Sequence, residues 1–143
     1  VDAVFDTNLK GPWILSCEIA NRLIAAGKGG RMVNIASVAA FSYGGNGAAL
    51  YSLTKSAVIR MTEALAVEWA RYGINGNAIA PGAFHSEMMD GMLERMGDIA
   101  KHFPRKRVCD PAQMDSTLLY FLSPASEAVT GTYIKIDDGQ GLR

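Results

Sequence analysis

The chain has 143 residues, 49% of them apolar, 20% charged and 8% aromatic, and its 14 lysines and arginines balance 14 aspartates and glutamates. This composition excludes a disordered chain and gives one globular unit, while a formal charge of zero with interspersed signs excludes a strongly basic nucleic-acid binder. No apolar run approaches the ~18 residues of a membrane span. Cys17 and Cys109 stand far apart without a CxxC pair or a histidine at ligand spacing, which predicts no metal site, no disulfide and a soluble protein of the reducing cytoplasm.

Val4, Phe5, Leu9, Ile14, Leu15, Ile19, Leu23 and Ile24 recur at spacings of three and four and predict a long helix that Gly27 caps. Gly29-Gly30 leads into Met32–Ser37, a short apolar run of the kind that forms a strand buried on both faces. Residues 38–47 are a glycine-rich loop. Leu50, Leu53, Val58, Met61, Leu65 and Trp69 restore helical spacing over residues 48–72, with Gly73 as the stop. Ile74–Ala80 is a second strand, ended by Pro81-Gly82. Residues 83–110 are methionine-rich and mixed in pattern, predicting a loop with one or two short helices. Pro111 suits the first turn of a helix running to Leu122, and Thr130–Ile136 carries the β-branched alternation of a third strand.

Strands separated by helices of this length pair in parallel through right-handed crossovers, so the fold class is α/β, a doubly wound parallel sheet. Three strands make a thin sheet with an apolar edge. The chain opens at Val1 in what reads as the body of a helix, so residues 1–143 are expected to be the carboxyl-terminal part of a single domain whose first strands precede them.

Ligands of such sheets bind at the carboxyl ends of the strands, and several polar groups gather there. Ser37 ends the first strand, and Pro81-Gly82 ends the second. Tyr51 and Lys55, four apart, share a helix face on which an ammonium can stand beside a phenol. Alone, that pair is also what two unrelated surface residues look like. Pro12 lacks the amide hydrogen that would bond the Asn8 carbonyl, which leaves that carbonyl open to a water. Gly11-Pro12 reads equally as a kink or a helix start.

Thr7-Asn8-Leu9-Lys10-Gly11, Val33-Asn34-Ile35-Ala36-Ser37, Tyr51-Ser52-Leu53-Thr54-Lys55, Asn77-Ala78-Ile79-Ala80-Pro81-Gly82 and Thr130-Gly131 through Asp138-Gly139 span nearly the whole chain. Together and in this order they resemble the short-chain dehydrogenase/reductase family. The resemblance implies a Rossmann-like fold and an NAD(P)-dependent oxidoreductase acting on a carbonyl or alcohol, with Asn8, Ser37, Tyr51 and Lys55 as its catalytic tetrad. Reducing a ketone needs a hydride on carbon and a proton on oxygen. A phenol with an ordinary pKa near ~10 is a poor base at neutral pH for the reverse reaction, and an adjacent cation favours phenolate. Tyr51 is then the acid and base, Lys55 supplies the charge and bonds the nicotinamide ribose, Ser37 holds the substrate oxygen, and Asn8 carries a water relay.

Pro81-Gly82-Ala83-Phe84-His85-Ser86 resembles the segment that holds the nicotinamide carboxamide. This adds Pro81, Gly82, Phe84 and Ser86 to Tyr51 and Lys55 as cofactor-binding residues, with Ser86 where the family has threonine. The other reading of the segment is a plain strand-ending turn. The glycine fingerprint for the ADP half is not in the chain: Gly45-Asn46-Gly47-Ala48-Ala49-Leu50 ends in leucine and follows a loop. NAD and NADP therefore stand equal.

Ser37, Phe41, Tyr43, His85, Met88 and Met89 are expected to line a pocket for a small, moderately apolar carbonyl compound. The run Met88, Met89, Met92, Met96 reads as a mobile lid or a packing face. Arg105-Lys106-Arg107 reads as a solvated face or as an attractor for an anionic substrate. Besides Ser86, three features depart from the family: Ser37 and Tyr51 are 14 apart, slightly wider than usual, Gly76 replaces a β-branched residue and weakens its strand, and the ending Asp137-Asp138-Gly139-Gln140-Gly141 differs from Asp-Gly-Gly. Trp13, Ile14, Cys17, Met61, Leu65 and Trp69 offer the two long helices a second buried face and predict a homodimer or homotetramer. The alternative function is a truncated, non-catalytic remnant that keeps the fold as an assembly or binding module, which the intact mass and the upstream sequence discriminate.

Overall fold

The computed structural model of the protein describes residues 1–142. The first apolar-periodic stretch forms a continuous helical rod in three parts: α1 (Asp2–Phe5), a π-helical turn (Asp6–Lys10) and α2 (Gly11–Ala25). Gly11 donates its N–H to the Asp6 carbonyl, five residues back. The widened turn falls just before Pro12, whose ring cannot supply the amide that α-helical closure needs.

Three parallel strands follow, β1 (Gly30–Ile35), β2 (Ile74–Pro81) and β3 (Tyr133–Ile136), in the order β1-β2-β3. Gly30 lies opposite Ile74 and Ile35 opposite Ile79, while Ala78 lies opposite Tyr133 and Pro81 opposite Ile136. Helix α3 (Ala49–Trp69) links β1 to β2, and α4 (Glu87–Met96) and α5 (Asp115–Leu122) lie between β2 and β3. Gly73 stops the second long helix at φ 70°. Its carbonyl accepts from Gly30 and leaves no room for a side chain at Gly29, where a Cβ would come within 2.5 Å of that oxygen.

Several boundaries differ from expectation for local reasons. The helix from Pro111 begins as a 3-10 turn (Pro111–Met114) in which Asp110 and Gln113 cap each other's backbone, before α5 starts. β3 is shorter than its alternating run because Thr130–Thr132 bond β2 irregularly: Thr130 Oγ1 accepts from Gly76, Gly131 donates to the Gly76 carbonyl, and Thr132 donates to the Asn77 side chain. Gly76 keeps its place in β2, opposite Met32. β1 is only partly buried, and Ile35 is 51% exposed. The full burial on both faces expected for this strand is therefore not seen among the described residues.

The core lies where α3 crosses the sheet. Val58 and Ile59 pack on Ala36 and Ala78, with Leu9 from the π turn and Ala40 at the margin. Small residues on the strands let the helix approach closely. Ser16 and Ala20, four apart on α2, are buried, whereas Trp13, Ile14, Leu15 and Ile19 on the same helix are exposed. Among the described residues no helix is long and apolar enough to cross a membrane.

Candidate active site

The chain leaves β1 at Ser37, which is extended, buried and accepts from the Ala39 N–H through its Oγ at 3.1 Å, opening the 3-10 turn Val38–Ala40. Two hydroxyls of α3 staple that turn. Ser52 Oγ donates to the Ala39 carbonyl at 2.6 Å, and Ser56 Oγ donates to the Ala40 carbonyl at 2.7 Å. Each serine directly follows one of the predicted pair, Tyr51 or Lys55, so these bonds hold the segment carrying Ser37 against the helix that carries both.

Lys55 Nζ donates to the Ile35 carbonyl at 3.0 Å and lies 5.6 Å from the centre of the Tyr51 ring. Burial pushes its pKa below the ordinary lysine value. Asn8 reaches the same helix from the π turn: its Nδ2 donates to Thr54 Oγ1 at 3.3 Å, and the Thr54 hydroxyl donates to the Tyr51 carbonyl at 2.8 Å. Thr54 is fully buried. Asn8, Tyr51, Lys55 and the end of β1 are thereby joined by hydrogen bonds through one turn of α3.

At the end of β2, Gly82 donates to the Ile136 carbonyl, and Ala83 donates to Gln140 Oε1 at 2.7 Å. A Cβ at Gly82 would sit 2.5 Å from that same Gln140 oxygen and 2.9 Å from the Asp137 Cβ, so a side chain there would force both to move. Phe84 is buried beside Cys109 in a short parallel bridge, with Cys109 donating to the Ala83 carbonyl and His85 donating to the Cys109 carbonyl, both at 2.9 Å. Ser86 Oγ accepts from the Met89 N–H at 3.0 Å and caps α4. That bond uses an acceptor site and leaves the hydroxyl proton to donate elsewhere.

Phe41 stacks on Tyr133 of β3 with ring centres 4.6 Å apart, and Lys135 Nζ lies 4.7 Å from its centre. Tyr43 Oη accepts from the Gly47 N–H and closes the glycine loop. His85 Nδ1 lies 3.6 Å from Asp90 Oδ1 at the surface, Met88 is exposed and Met89 is half-buried.

The basic run is tied down at the surface by a residue that composition alone does not pair with it. Arg107 donates to both Asp138 oxygens, at 2.7 and 2.9 Å, and Arg105 Nε lies 3.3 Å from Oδ1. The Arg107 contact holds the Asp138 carboxyl below its ordinary pKa and raises that of the guanidinium. Met61 and Leu65, expected to face a partner subunit, are already buried within the chain, so the exposed apolar side chains of the long helices are Trp13, Ile14, Leu15 and Ile19 on α2 and Leu53 and Val67 on α3.

Sequence reasoning passed over Ser52, Ser56, Thr54 and Gln140. The serines were readable as an i,i+4 pair one residue out of phase with Tyr51 and Lys55. Thr54 carried no signal beyond being polar.

A family model described as Enoyl-(Acyl carrier protein) reductase matches residues 1–140. The 2-dehydro-3-deoxy-D-gluconate 5-dehydrogenase of Dickeya dadantii is 35% identical over 141 residues, covering 96% of this chain and 55% of the relative. The crystal structure of 3-oxoacyl-[acyl-carrier protein] reductase from Brucella melitensis matches with a TM-score of 0.85 at 32% identity, over 97% of this chain and 52% of that one. A 4-hydroxyisoleucine dehydrogenase complexed with NADH matches with a TM-score of 0.80 at 30% identity, over 95% of this chain and 57% of that one. The chain thus spans about half the length of the proteins it matches. With a Rossmann-type parallel sheet and a family match that runs almost end to end, it belongs to the short-chain dehydrogenase/reductase family.

Proposed function

We propose that residues 1–143 form the carboxyl-terminal, catalytic part of a Rossmann-fold oxidoreductase domain that moves a hydride between NAD or NADP and a small carbonyl or alcohol substrate. The observation that carries this reading is the position of Lys55, beside the Tyr51 ring and bonded to the Ile35 carbonyl two residues before Ser37. Tyr51 gives its phenolic proton to the substrate oxygen in reduction and takes it back in oxidation. Lys55 lowers the cost of the ionised phenol through its charge. Ser37 orients the substrate oxygen, and Asn8, fixed by Thr54, holds a water at the carbonyl that Pro12 cannot bond.

The donor set suits a nicotinamide ribose and carboxamide. An ammonium has three protons and Lys55 directs one to Ile35, which leaves donors for ribose hydroxyls. The Ser86 hydroxyl, held by the α4 cap, has a proton for the carboxamide oxygen. A bound nicotinamide dinucleotide supplies the hydride that reaches the substrate carbon. The solved relative complexed with NADH supports the cofactor class.

We also propose a homodimer or homotetramer that covers Trp13 and Ile14 of α2, which are 48% and 55% exposed. The deciding experiment is turnover of the complete domain with NADH and with NADPH on ketone substrates, wild type against Tyr51→Phe. Equal turnover of the two proteins would refute the assignment of Tyr51.

A further inference from the structure

We infer that Asp138 and Gln140, both on the turn that follows β3, are positioning residues that clamp the Pro81–Ser86 segment in its working shape. The inference rests on the reading above, in which that segment holds the carboxamide end of the cofactor.

The backbone at Asp138 has φ 54°, in the left-handed region where glycine is unstrained and an L side chain is not. A carboxylate at such a position is explained by what it binds. Arg107 meets it with two parallel bonds and Arg105 with a third contact, and the chain turns between them at Lys106, itself at φ 55°. The Asp138 side chain is only 10% exposed, although both arginines are largely at the surface.

Arg107 stands two residues before Cys109, whose N–H and carbonyl bond the Ala83 carbonyl and the His85 N–H. Gln140 reaches the same place directly, taking the Ala83 N–H on its Oε1 and filling the space that a side chain at Gly82 would need. Two side chains of one turn therefore fix three successive residues, Ala83, Phe84 and His85, from two sides. The residues between that segment and the clamp, 87–107, contribute no buried side chain, so no core of their own holds them in place.

Asp138→Gly tests this cleanly, because it removes the carboxylate and relieves the backbone at once. Gln140→Ala is the second variant. The first readout is amide hydrogen exchange in the complete domain. We expect the Ala83, His85 and Cys109 amides to exchange roughly tenfold faster in Asp138→Gly, and the Ala83 amide to do so in Gln140→Ala, with the β1–β2 ladder unchanged. Raising the salt concentration should speed these amides in wild type and leave Asp138→Gly unaffected, since surface charge pairs are screened. The second readout, in the complete domain, is a KM for the cofactor raised roughly tenfold with kcat little changed, and a smaller rise in Asp138→Asn, which keeps the acceptor and loses the charge. Unchanged exchange in both variants would overturn the clamp. Faster exchange with an unchanged cofactor KM would overturn its role in binding. Undiminished turnover in Tyr51→Phe would strike the proposed reaction instead and leave the exchange result standing.

Discussion

The corner that joins β1 to α3 and the segment that follows β2 are held by different means. At the corner, neutral hydroxyls, one amide and the half-buried Lys55 ammonium bond backbone carbonyls and each other. Beyond β2, two exposed arginines and a carboxylate do the holding, with a single glutamine beside them. A satisfied neutral bond contributes about 0.5–1.5 kcal/mol but costs about 1–3 kcal/mol when one buried partner is left alone. Exposed ion pairs contribute little and yield to salt. By these magnitudes the corner is the more strongly held of the two, and the contacts beyond β2 are the ones that salt can loosen.

The largest blow to the corner is chemical. Tyr51→Phe removes one hydroxyl and almost no packing, so turnover of the complete domain should fall ~10²–10⁴-fold while the thermal midpoint stays in place. Steady-state kinetics beside a melting curve separates the two. If turnover and stability fell together, the corner would be a structural feature alone.

Next comes the bond that anchors Asn8. Thr54→Val keeps the shape of a fully buried residue and deletes the oxygen that Asn8 donates to. Urea denaturation should show a loss of about 1–3 kcal/mol. A loss below about 0.5 kcal/mol would mean that the corner owes its rigidity to packing and not to its hydrogen bonds.

Lys55 gives a pH test of the same corner. Its folded pKa is depressed by burial, so between that value and the unfolded one the unfolded chain binds the extra proton, and stability rises with pH across the window. Lys55→Met should abolish that rise, as measured by denaturation from neutral to strongly alkaline pH. A rise that survives the substitution would place its origin elsewhere. The smallest effect belongs to the segment beyond β2. His85 and Asp90 are both exposed, so Asp90→Asn should change stability by less than about 0.5 kcal/mol. A larger change in the same denaturation assay would show that this segment is more strongly held than its exposure implies.

The two regions also differ in how far they could be read in advance. Helix and strand order follows from apolar spacing and from Gly73 and Pro81-Gly82, signals that are local in the chain. The phase of Tyr51 and Lys55 on one helix face is local as well. The stacking of Phe41 on Tyr133 and the pairing of Arg107 with Asp138 join residues distant in sequence, and no periodicity announces them. The departure from Asp-Gly-Gly at Asp138 was visible, but its partner was not. Met61 and Leu65 misled because an apolar residue beside the core stripe can turn inward as readily as outward. The π turn was illegible for a simpler reason: Asp6–Lys10 holds a single apolar residue, Leu9, too few to reveal a shift of phase.

That turn acts as a clock setting. Closing on five residues inserts one step, about 100° of rotation, between the side chains before and after it. Asn8 lies inside the inserted step and meets Thr54, while downstream α2 presents Ser16 and Ala20 inward and Ile14 and Leu15 outward. Deleting Thr7 alone would reset the phase and turn one half of the rod by about 100° against the other. Composition and length would hardly change, yet a different row of side chains would face α3. The count of residues in Asp6–Lys10 therefore constrains this helix as strictly as their identities do.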